Sequence, residues 1–541
     1  MDGEGDDESD DESDGETEPT RIDLEGFESR VQLLPLDPGG FGNLVGLEGG
    51  LAYLRQGDEG NSLMRYEMGE DEAKQVLDKS GGFSLTADGK RLFVSSGSKF
   101  GFIDPAPGQT LEDTLDLSGL RLVSDPRAEW RQMLTETWRL FRDFFYDAGM
   151  HGLDWPAVRE RYTAALVDAT SHEDLLFLTG EMMAELNVGH AYNARNGRSP
   201  AARGTGSSAG LLGADLVLEP GGADAGAYRI ERILSGGPYD ADARSPLDLP
   251  GLDVREGDYV LAVNGVPVDA SRSFHAAMLG TGGEPTELLV NDRPDMSGEP
   301  RRVIVEPIRS DATLRLRDWI HRNRVRVDEL SGGRIGYVYV PDTGQNGQNE
   351  LMRQFLGQRH KDALLIDERW NGGGQIPTRF IELLDRPVTN YWAVRHGEDW
   401  TWPPLGHRGP KAMLINGWAG SGGDAFPYYF RQSGLGSLIG RRTWGGLVGI
   451  SGNPSLIDGT GHSIPTFGFY ELDGTWGIEG HGVDPDIEVM DDPTELARGA
   501  DPQLEAGVAH LLEQLEQTPT AGVARPAGPE RSGSGIPDDE R

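Results

Sequence analysis

The chain has 541 residues, enough for several domains with separate cores. Its formal net charge is −39, from 89 acidic and 50 basic residues, and no basic stripe of the kind that binds phosphates is present, so we expect no nucleic-acid partner. Cysteine is absent, which excludes disulfides, thiolate nucleophiles and Cys-ligated zinc. The longest apolar runs fall short of the ~20 residues that span a bilayer, and the N-terminus is acidic, unlike a signal peptide. We therefore expect a cytoplasmic protein without membrane contact.

The N-terminal third of the chain is predicted to contain three regions. Residues 1–20 hold eleven acidic and no basic residues, which predicts a disordered tail. Residues 21–115 contain short strand-like pieces, with a hairpin at Asp88-Gly89, and this spacing is typical of a β-propeller remnant. Residues 126–205 place Trp, Leu, Phe and Met at helical spacing, which predicts a helical domain.

Residues 206–310 resemble a PDZ domain. The resemblance lies in the loop Gly210-Leu211-Leu212-Gly213, followed by YRIERIL, Gly-Gly-Pro and REGDYVLAVNGVPV. A loop of this type presents backbone N–H groups to the terminal carboxylate of a peptide, and the next strand accepts the peptide along its edge. The alternative is a small β-domain without a ligand.

Residues 324–515 follow an α/β pattern. The segments GRIGYVYVPD and DALLIDERW predict strands, and residues 347–357 predict the helix between them. Further β–turn–α units follow at 412–432 and within 436–450, and a last amphipathic helix is LEAGVAHLLEQLEQ. The whole is predicted to be a multidomain α/β protein. Residues 519–541, rich in Pro, Gly and Ser, are predicted to be a disordered tail.

The stretch KAMLINGWAGSGGD, residues 411–424, carries the candidate nucleophile Ser421. A serine at a strand-to-helix turn has an exposed hydroxyl, and the N–H of the next residue, Gly422, points to where an oxyanion would form. The positive end of the following helix stabilises negative charge there. The alternative is a glycine-rich turn in which Ser421 is only a helix cap.

A serine nucleophile needs a base and a second oxyanion donor. His190, in LNVGHAY at the end of the helical region, is the candidate base, against the alternative of an ordinary surface or core histidine. The NGGG turn at 371–374 follows a predicted strand, where an α/β sheet builds its site. Its Gly373 is the candidate second donor, against the alternative of a simple strand-ending turn.

Glu479, in GIEGHGVDP, is the candidate group that orients the base. It lies between glycines, so its carboxylate can approach an imidazole, keep the correct tautomer and stabilise the imidazolium. The alternatives are a solvated glutamate in a turn, or a role for the neighbouring His481 or Asp484 instead.

Five motifs in order, NVGHAY, the PDZ-like region, DERWNGGG, GWAGSGGD and GIEGHGVDPDIEV, resemble the tricorn protease family over roughly residues 22–515. This family is related to the carboxy-terminal processing peptidases. The resemblance implies a crotonase-like (ClpP/crotonase) catalytic domain and a serine endopeptidase that cleaves oligopeptides, downstream in cytosolic protein degradation. It assigns Ser421 as nucleophile, His190 as general base, Glu479 as its polar partner, and Gly422 with one NGGG glycine as the oxyanion hole.

The resemblance also implies a homohexamer, aminopeptidase partners, and an acidic residue that favours basic side chains at the cleavage site, for which Glu398 and Asp399 are candidates. Two departures stand out. Gly189 replaces a serine that links the histidine to the glutamate in the archaeal enzyme. Of the family's two propellers only the end of the second is expected here, so the chain is interpreted as N-terminally truncated.

Two other functions compete with the peptidase. A catalytically inactive PDZ scaffold would bind peptides unchanged after Ser421→Ala. A crotonase-like acyl-transfer or hydratase enzyme would need a CoA or nucleotide site, and no basic phosphate cradle is visible. A serine–lysine dyad with a base after Ser421 is excluded because no lysine follows it. Metal-ligand spacings such as HExxH are lacking, so no metal or cofactor is expected.

Overall fold

The structure is a computed structural model that describes residues 23–31, 33–57, 60–121, 123–194, 209–220, 226–240, 243–517, 523–528, 535 and 539. The acidic tail predicted at 1–20 and most of the tail predicted at 519–541 lie outside these residues. The chain divides into two units, Met1–Ser124 and Asp125–Arg541. Within the described residues, none of the helices combines the length and apolarity needed to cross a bilayer.

The first unit contains two antiparallel sheets. The hairpin predicted at Asp88-Gly89 is present: Leu85 pairs with Leu92, and Gly89 has a φ of 71° in the turn. The four-stranded sheet follows chain order and comprises Phe41–Leu47, Gly50–Arg55, Ser62–Glu67 and Lys74–Leu77. The three-stranded sheet comprises Gly82–Leu85, Leu92–Ser96 and Lys99–Ile103. Their inward-facing aliphatic side chains form a common core.

The second unit begins with the helical region. Asp125 caps its first helix by accepting a hydrogen bond from Ala128 N at 3.2 Å, and a proline follows the cap. The aromatic side chains of Trp138, Phe141 and Phe145 are buried in one cluster. The helices are Pro126–Phe144, Trp155–Ala165 and His172–Ala184, with 3₁₀ turns at Met150–Gly152 and Leu166–Asp168.

The strand Tyr192–Ala194 leaves the helical region and pairs antiparallel with Gly461–Ser463 of the α/β region. Tyr192 lies opposite Ser463 in this register. This short pairing positions the segment around His190 beside the α/β region, although the two are far apart in sequence.

The PDZ-like region forms an antiparallel sheet whose edge strand, Ala214–Glu219, follows the Gly210–Gly213 loop. In that loop, Gly210 N donates to Met278 O at 2.9 Å and Leu211 N donates to Ile308 O at 2.8 Å. Those two amides are therefore not available to a peptide carboxylate. The other strands are Ala227–Ile233, Tyr259–Val263, Val266–Pro267, Thr286–Asn291 and Arg301–Val305, with a 3₁₀ turn at Phe274–Ala276.

The α/β region contains a five-stranded parallel sheet between two layers of helices. One hydrophobic cluster lies under the helices Gln345–Gln358, Thr378–Leu384 and Gly422–Gln432, and another lies under Ala312–Ser331 and Pro502–Gln517. In sheet order the strands are Ile335–Tyr339, Ala363–Asp367, Lys411–Ile415, Gly436–Gly440 and Ile487–Glu488. The first three are buried at every position, as expected for parallel strands covered on both faces.

Shorter elements complete the described structure. Of the stretch 444–450, predicted to belong to a β–turn–α unit, only Gly449–Ile450 is a strand, and it pairs with Pro465–Phe467. The remaining elements are the hairpin Asn390–Trp392 and Trp400–Trp402, the helix Pro493–Ala497 and the 3₁₀ turn Glu28–Arg30.

Candidate active site

Ser421 lies at the turn between the strand Lys411–Ile415 and the helix Gly422–Gln432. Its backbone has φ 59° and ψ −117°, a strained conformation for a residue with a side chain. The residue is half-buried, and Asp424 N donates to its backbone oxygen at 2.8 Å. The turn therefore places the Ser421 side chain at the first turn of the helix, in a backbone conformation that must be held by its surroundings.

Asp424 holds this strained turn in place. Its buried carboxylate accepts hydrogen bonds from Ser421 N at 2.8 Å, Gly445 N at 2.8 Å and Gly446 N at 3.1 Å, and also from the Thr443 hydroxyl. Burial raises the pKa of Asp424, although these hydrogen bonds oppose the rise. The sequence analysis missed Asp424, although its place three residues after a serine at a helix start is a capping-box signal.

The NGGG turn lies directly against the serine. A Cβ on Gly373 would be 2.7 Å from Ser421 Cβ, so only glycine fits there without displacement. Gly373 N, the expected second oxyanion donor, instead donates to Asn371 Oδ1 at 2.9 Å. The next amide, Gly374 N, is 3.0 Å from the point that a Cβ on Gly422 would occupy. Because Gly373 N is already bonded, Gly374 N becomes a further candidate for the second donor.

His190 is close to the serine turn through the ring of Trp444. The centroids of these two rings are 5.8 Å apart, and the Trp444 ring packs against Gly420, the residue before Ser421. The ring of Tyr192 is 6.1 Å from that of His190. His190 has φ 57°, a second strained position in the site, and its buried Nδ1 has no hydrogen-bond partner among the described residues.

Burial lowers the pKa of His190, and the charges of Glu479 and Asp424 oppose this change. The imidazole is therefore neutral at neutral pH, the form in which it can accept a proton. No direct hydrogen bond joins His190 to Ser421 among the described contacts. Catalytic hydrogen bonds are often long in unliganded enzymes and shorten when substrate binds.

Glu479 binds backbone rather than the imidazole. Its Oε1 accepts from Gly189 N at 2.7 Å, and its Oε2 accepts from Leu447 N at 2.7 Å and Val448 N at 2.9 Å. The carboxylate thus positions the peptide bond next to His190 and acts on the ring through its charge. A Cβ on Gly189 would be 3.0 Å from Oε1, so the glycine at this position leaves room for the direct contact.

The alternative orienting groups form an ion pair of their own. His481 and Asp484 are both exposed and pair with each other, with Nε2 2.7 Å from Oδ2. Glu398 and Asp399 line a cavity of about 490 Å³ together with His407 and other residues, and none of the three candidate catalytic residues lines that cavity. Within the described residues, no group of three or more His, Asp or Glu side chains is arranged to hold a metal ion.

Comparison with known proteins agrees with this geometry. Three family models match in the order of the regions described above: the tricorn protease C1 domain at residues 126–184, the tricorn protease PDZ domain at 210–310, and peptidase family S41 at 334–489. The chain belongs to the tricorn protease family.

Among its relatives, tricorn protease homolog 1 of Streptomyces coelicolor is 35% identical over 521 residues, which are 92% of this chain and 48% of that protein. The tricorn protease of Thermoplasma volcanium is 29% identical, over 92% of this chain and 49% of that protein. A crystal structure of the tricorn protease matches with a TM-score of 0.75 and 28% identity, covering 89% of this chain and 47% of that one. The chain spans about half the length of these relatives.

Proposed function

We propose that this chain is a serine endopeptidase that cleaves oligopeptides through an acyl-enzyme. The observation that carries the proposal is Ser421, which lies half-buried on a strained strand-to-helix turn, close to the neutral imidazole of His190. Ser421 Oγ attacks the scissile carbonyl while its proton passes to His190. The tetrahedral intermediate collapses to an ester on Ser421, and His190 returns the proton to the leaving amine. A water molecule, deprotonated by His190, then hydrolyses the ester.

The remaining residues of the proposed site support Ser421 and His190. The amides of Gly422 and Gly374 are the proposed oxyanion donors, and the positive end of the helix that begins at Gly422 adds to their field. Glu479 positions the His190 segment through Gly189 and stabilises the imidazolium that forms during attack.

The finer features implied by the resemblance are proposals as well. The parallel sheet between two helix layers supports a crotonase-like catalytic domain, and the small antiparallel sheets of residues 21–115 support a propeller remnant. A cytoplasmic location, a role in protein degradation and a homohexamer with aminopeptidase partners extend from relatives twice this length. The inactive-scaffold alternative is not favoured, because Gly210 N and Leu211 N are already paired inside the PDZ-like region.

The test is active-site labelling with a fluorophosphonate, followed by peptide mapping and by hydrolysis of quenched fluorescent peptides. We expect the adduct on Ser421, and we expect Ser421→Ala to abolish both labelling and hydrolysis while keeping the circular dichroism spectrum. Ser433→Ala, an exposed serine at the other end of the same helix, is the matched control. Undiminished hydrolysis by a folded Ser421→Ala protein would refute the proposal.

A further inference from the structure

The side chain of Thr343 is buried beside the two glycines whose amides are the proposed oxyanion donors. This residue is 3% exposed and belongs to the loop between the strand Ile335–Tyr339 and the helix Gln345–Gln358. Its Oγ1 lies 1.9 Å from the point that a Cβ on Gly422 would occupy, and 3.1 Å from the corresponding point on Gly374. The Thr343 side chain therefore fills space next to both glycines.

The backbone of Thr343 holds the peptide group that contains the proposed second donor. The carbonyl of Gly373 and the N–H of Gly374 belong to one trans peptide group, so they point in opposite directions. Thr343 N donates to that carbonyl at 2.9 Å. The N–H of Gly373 itself donates to Asn371 Oδ1 at 2.9 Å. Both peptide groups of Gly373 are thus held, and the hydrogen bond from Thr343 sets the direction of the Gly374 N–H.

The Thr343 hydroxyl is not used in a hydrogen bond. Its Oγ1 is buried and has no hydrogen-bond partner among the described residues. A buried hydroxyl without a partner lowers the stability of a fold, whereas an apolar group of the same shape does not. What the side chain supplies beside Gly422 is therefore its volume.

We propose that Thr343 is a positioning residue for the oxyanion site, and that its side chain sets the separation between the amides of Gly422 and Gly374. The inference rests on the proposed peptidase function. The backbone of Thr343 holds the Gly374 amide and its side chain lies against Gly422, so one residue connects both donors. Oxyanion donors stabilise the transition state when they are already aimed at the developing charge. A change in their separation therefore lowers kcat more than it raises KM.

The test measures kcat and KM for a quenched fluorescent peptide in variants of Thr343. Thr343→Ala removes Oγ1, and we expect kcat to fall about tenfold while KM changes less than about twofold. Thr343→Val keeps the shape and loses the unpaired hydroxyl, so kcat should stay within about threefold of the unmodified chain and Tm should not fall. Thr286→Ala is the matched control, because Thr286 is similarly buried in the PDZ-like region, and it should leave kcat unchanged.

Two further measurements separate positioning of the donors from an effect on the base. The rate of fluorophosphonate labelling at Ser421 should fall with kcat in Thr343→Ala, since the phosphoryl oxygen of the probe binds the same two amides. The acid limb of the kcat/KM–pH profile should stay in place, because the charges that act on the pKa of His190 are those of Glu479 and Asp424.

A double variant tests the contact with Gly422 directly. The methyl group added by Gly422→Ala would lie 1.9 Å from Thr343 Oγ1, and Thr343→Ala removes that atom. We therefore expect the double variant to be at least as active as Gly422→Ala alone. Losses that multiply would show that the two positions act independently, and would contradict the proposal.

The proposal is also wrong if folded Thr343→Ala keeps its full kcat, if Thr343→Val loses as much as Thr343→Ala, or if the acid limb moves. In these cases the peptidase stands, provided that the unmodified chain is labelled at Ser421 and cleaves peptides. If Thr343→Ala does not fold, Thr343→Val and Thr343→Ser decide: both keep an atom beside Gly422, so a loss of about tenfold in either contradicts a role of side-chain volume. If the unmodified chain neither labels nor cleaves, both proposals fail.

Discussion

Replacing Glu479 by Gln tests how the base is held. A glutamine keeps one acceptor oxygen and turns the other oxygen into an NH₂ donor that faces a backbone N–H. One orientation of the amide loses the bonds from Leu447 N and Val448 N, and the other loses the single bond from Gly189 N. The second orientation costs less, so we expect the Gly189 contact to be lost. A hydrogen bond to a charged group contributes about 1.5–3 kcal/mol.

If the lost hydrogen bond stabilises the transition state by this amount, kcat/KM falls about 10- to 150-fold. The charge also matters: Glu479 raises the pKa of His190 against the lowering by burial, so its removal lowers that pKa further. A base is active when unprotonated, so the acid limb of the kcat/KM–pH profile must move to lower pH in Glu479→Gln. The control is Glu471→Gln, whose carboxylate accepts from the Tyr428 hydroxyl instead. An unmoved acid limb, or one moved to higher pH, would refute this account.

Two further predictions concern buried groups beside the site. In Gly422→Ala the new methyl group would lie 1.9 Å from Thr343 Oγ1, so we expect kcat/KM to fall at least tenfold. Gly417→Ala is the control, because the nearest atom to its new methyl group would be 3.5 Å away, and it should leave kcat/KM unchanged. The pKa of Glu368 is raised well above its usual value, first by burial and then by the nearby charge of Asp424. The Glu368 carboxyl therefore keeps its proton in the folded state at pH values above ~4.3, where the unfolded state releases it. The free energy of unfolding therefore falls with rising pH, by up to about 1.4 kcal/mol per pH unit, until the pH passes the pKa of Glu368 in the folded state. The Tm of Glu368→Gln, measured from pH 4 to 8, should lack this contribution to the slope. Equal slopes for the variant and the unmodified chain would contradict the raised pKa of Glu368.

The parts of the fold that the sequence predicted are those with a strong local signal. The strand ending at Asp367 and the strand before Ser421 are continuous apolar runs, and the structure buries every residue of both. The helix Ala312–Ser331 escaped prediction because arginines and other charged residues dominate it and only a narrow face, including Leu314 and Val327, is buried. The pattern of burial, rather than composition, identifies such a helix.

The sequence indicated the candidate site residues but not the hydrogen bonds that these residues make. Glu479 was expected to contact an imidazole, but its carboxylate accepts hydrogen bonds from three backbone amides. Every residue type except proline has a backbone N–H, so the sequence does not indicate which amides a carboxylate binds. The side chain of Asn371 occupies Gly373 N, a bond that the sequence does not reveal, and the proposed second donor is Gly374 N for that reason. The closeness of His190 to the serine turn depends on a three-residue strand pairing, too short to give a periodic signal.

Two carboxylates, the buried Asp424 and the half-buried Glu479, explain how residues from distant parts of the chain keep a fixed spacing. Asp424 binds the amides of residues 445 and 446 and holds the serine turn, while Glu479 binds the amides of residues 447 and 448 and holds the peptide bond before His190. Four consecutive amides of one short segment are thus divided between the Ser421 turn and the His190 segment. Because that segment has a fixed length, it sets the separation of the serine and the histidine locally. A strained backbone at both residues can persist only when such contacts over-determine it, which accounts for the φ values of 59° at Ser421 and 57° at His190.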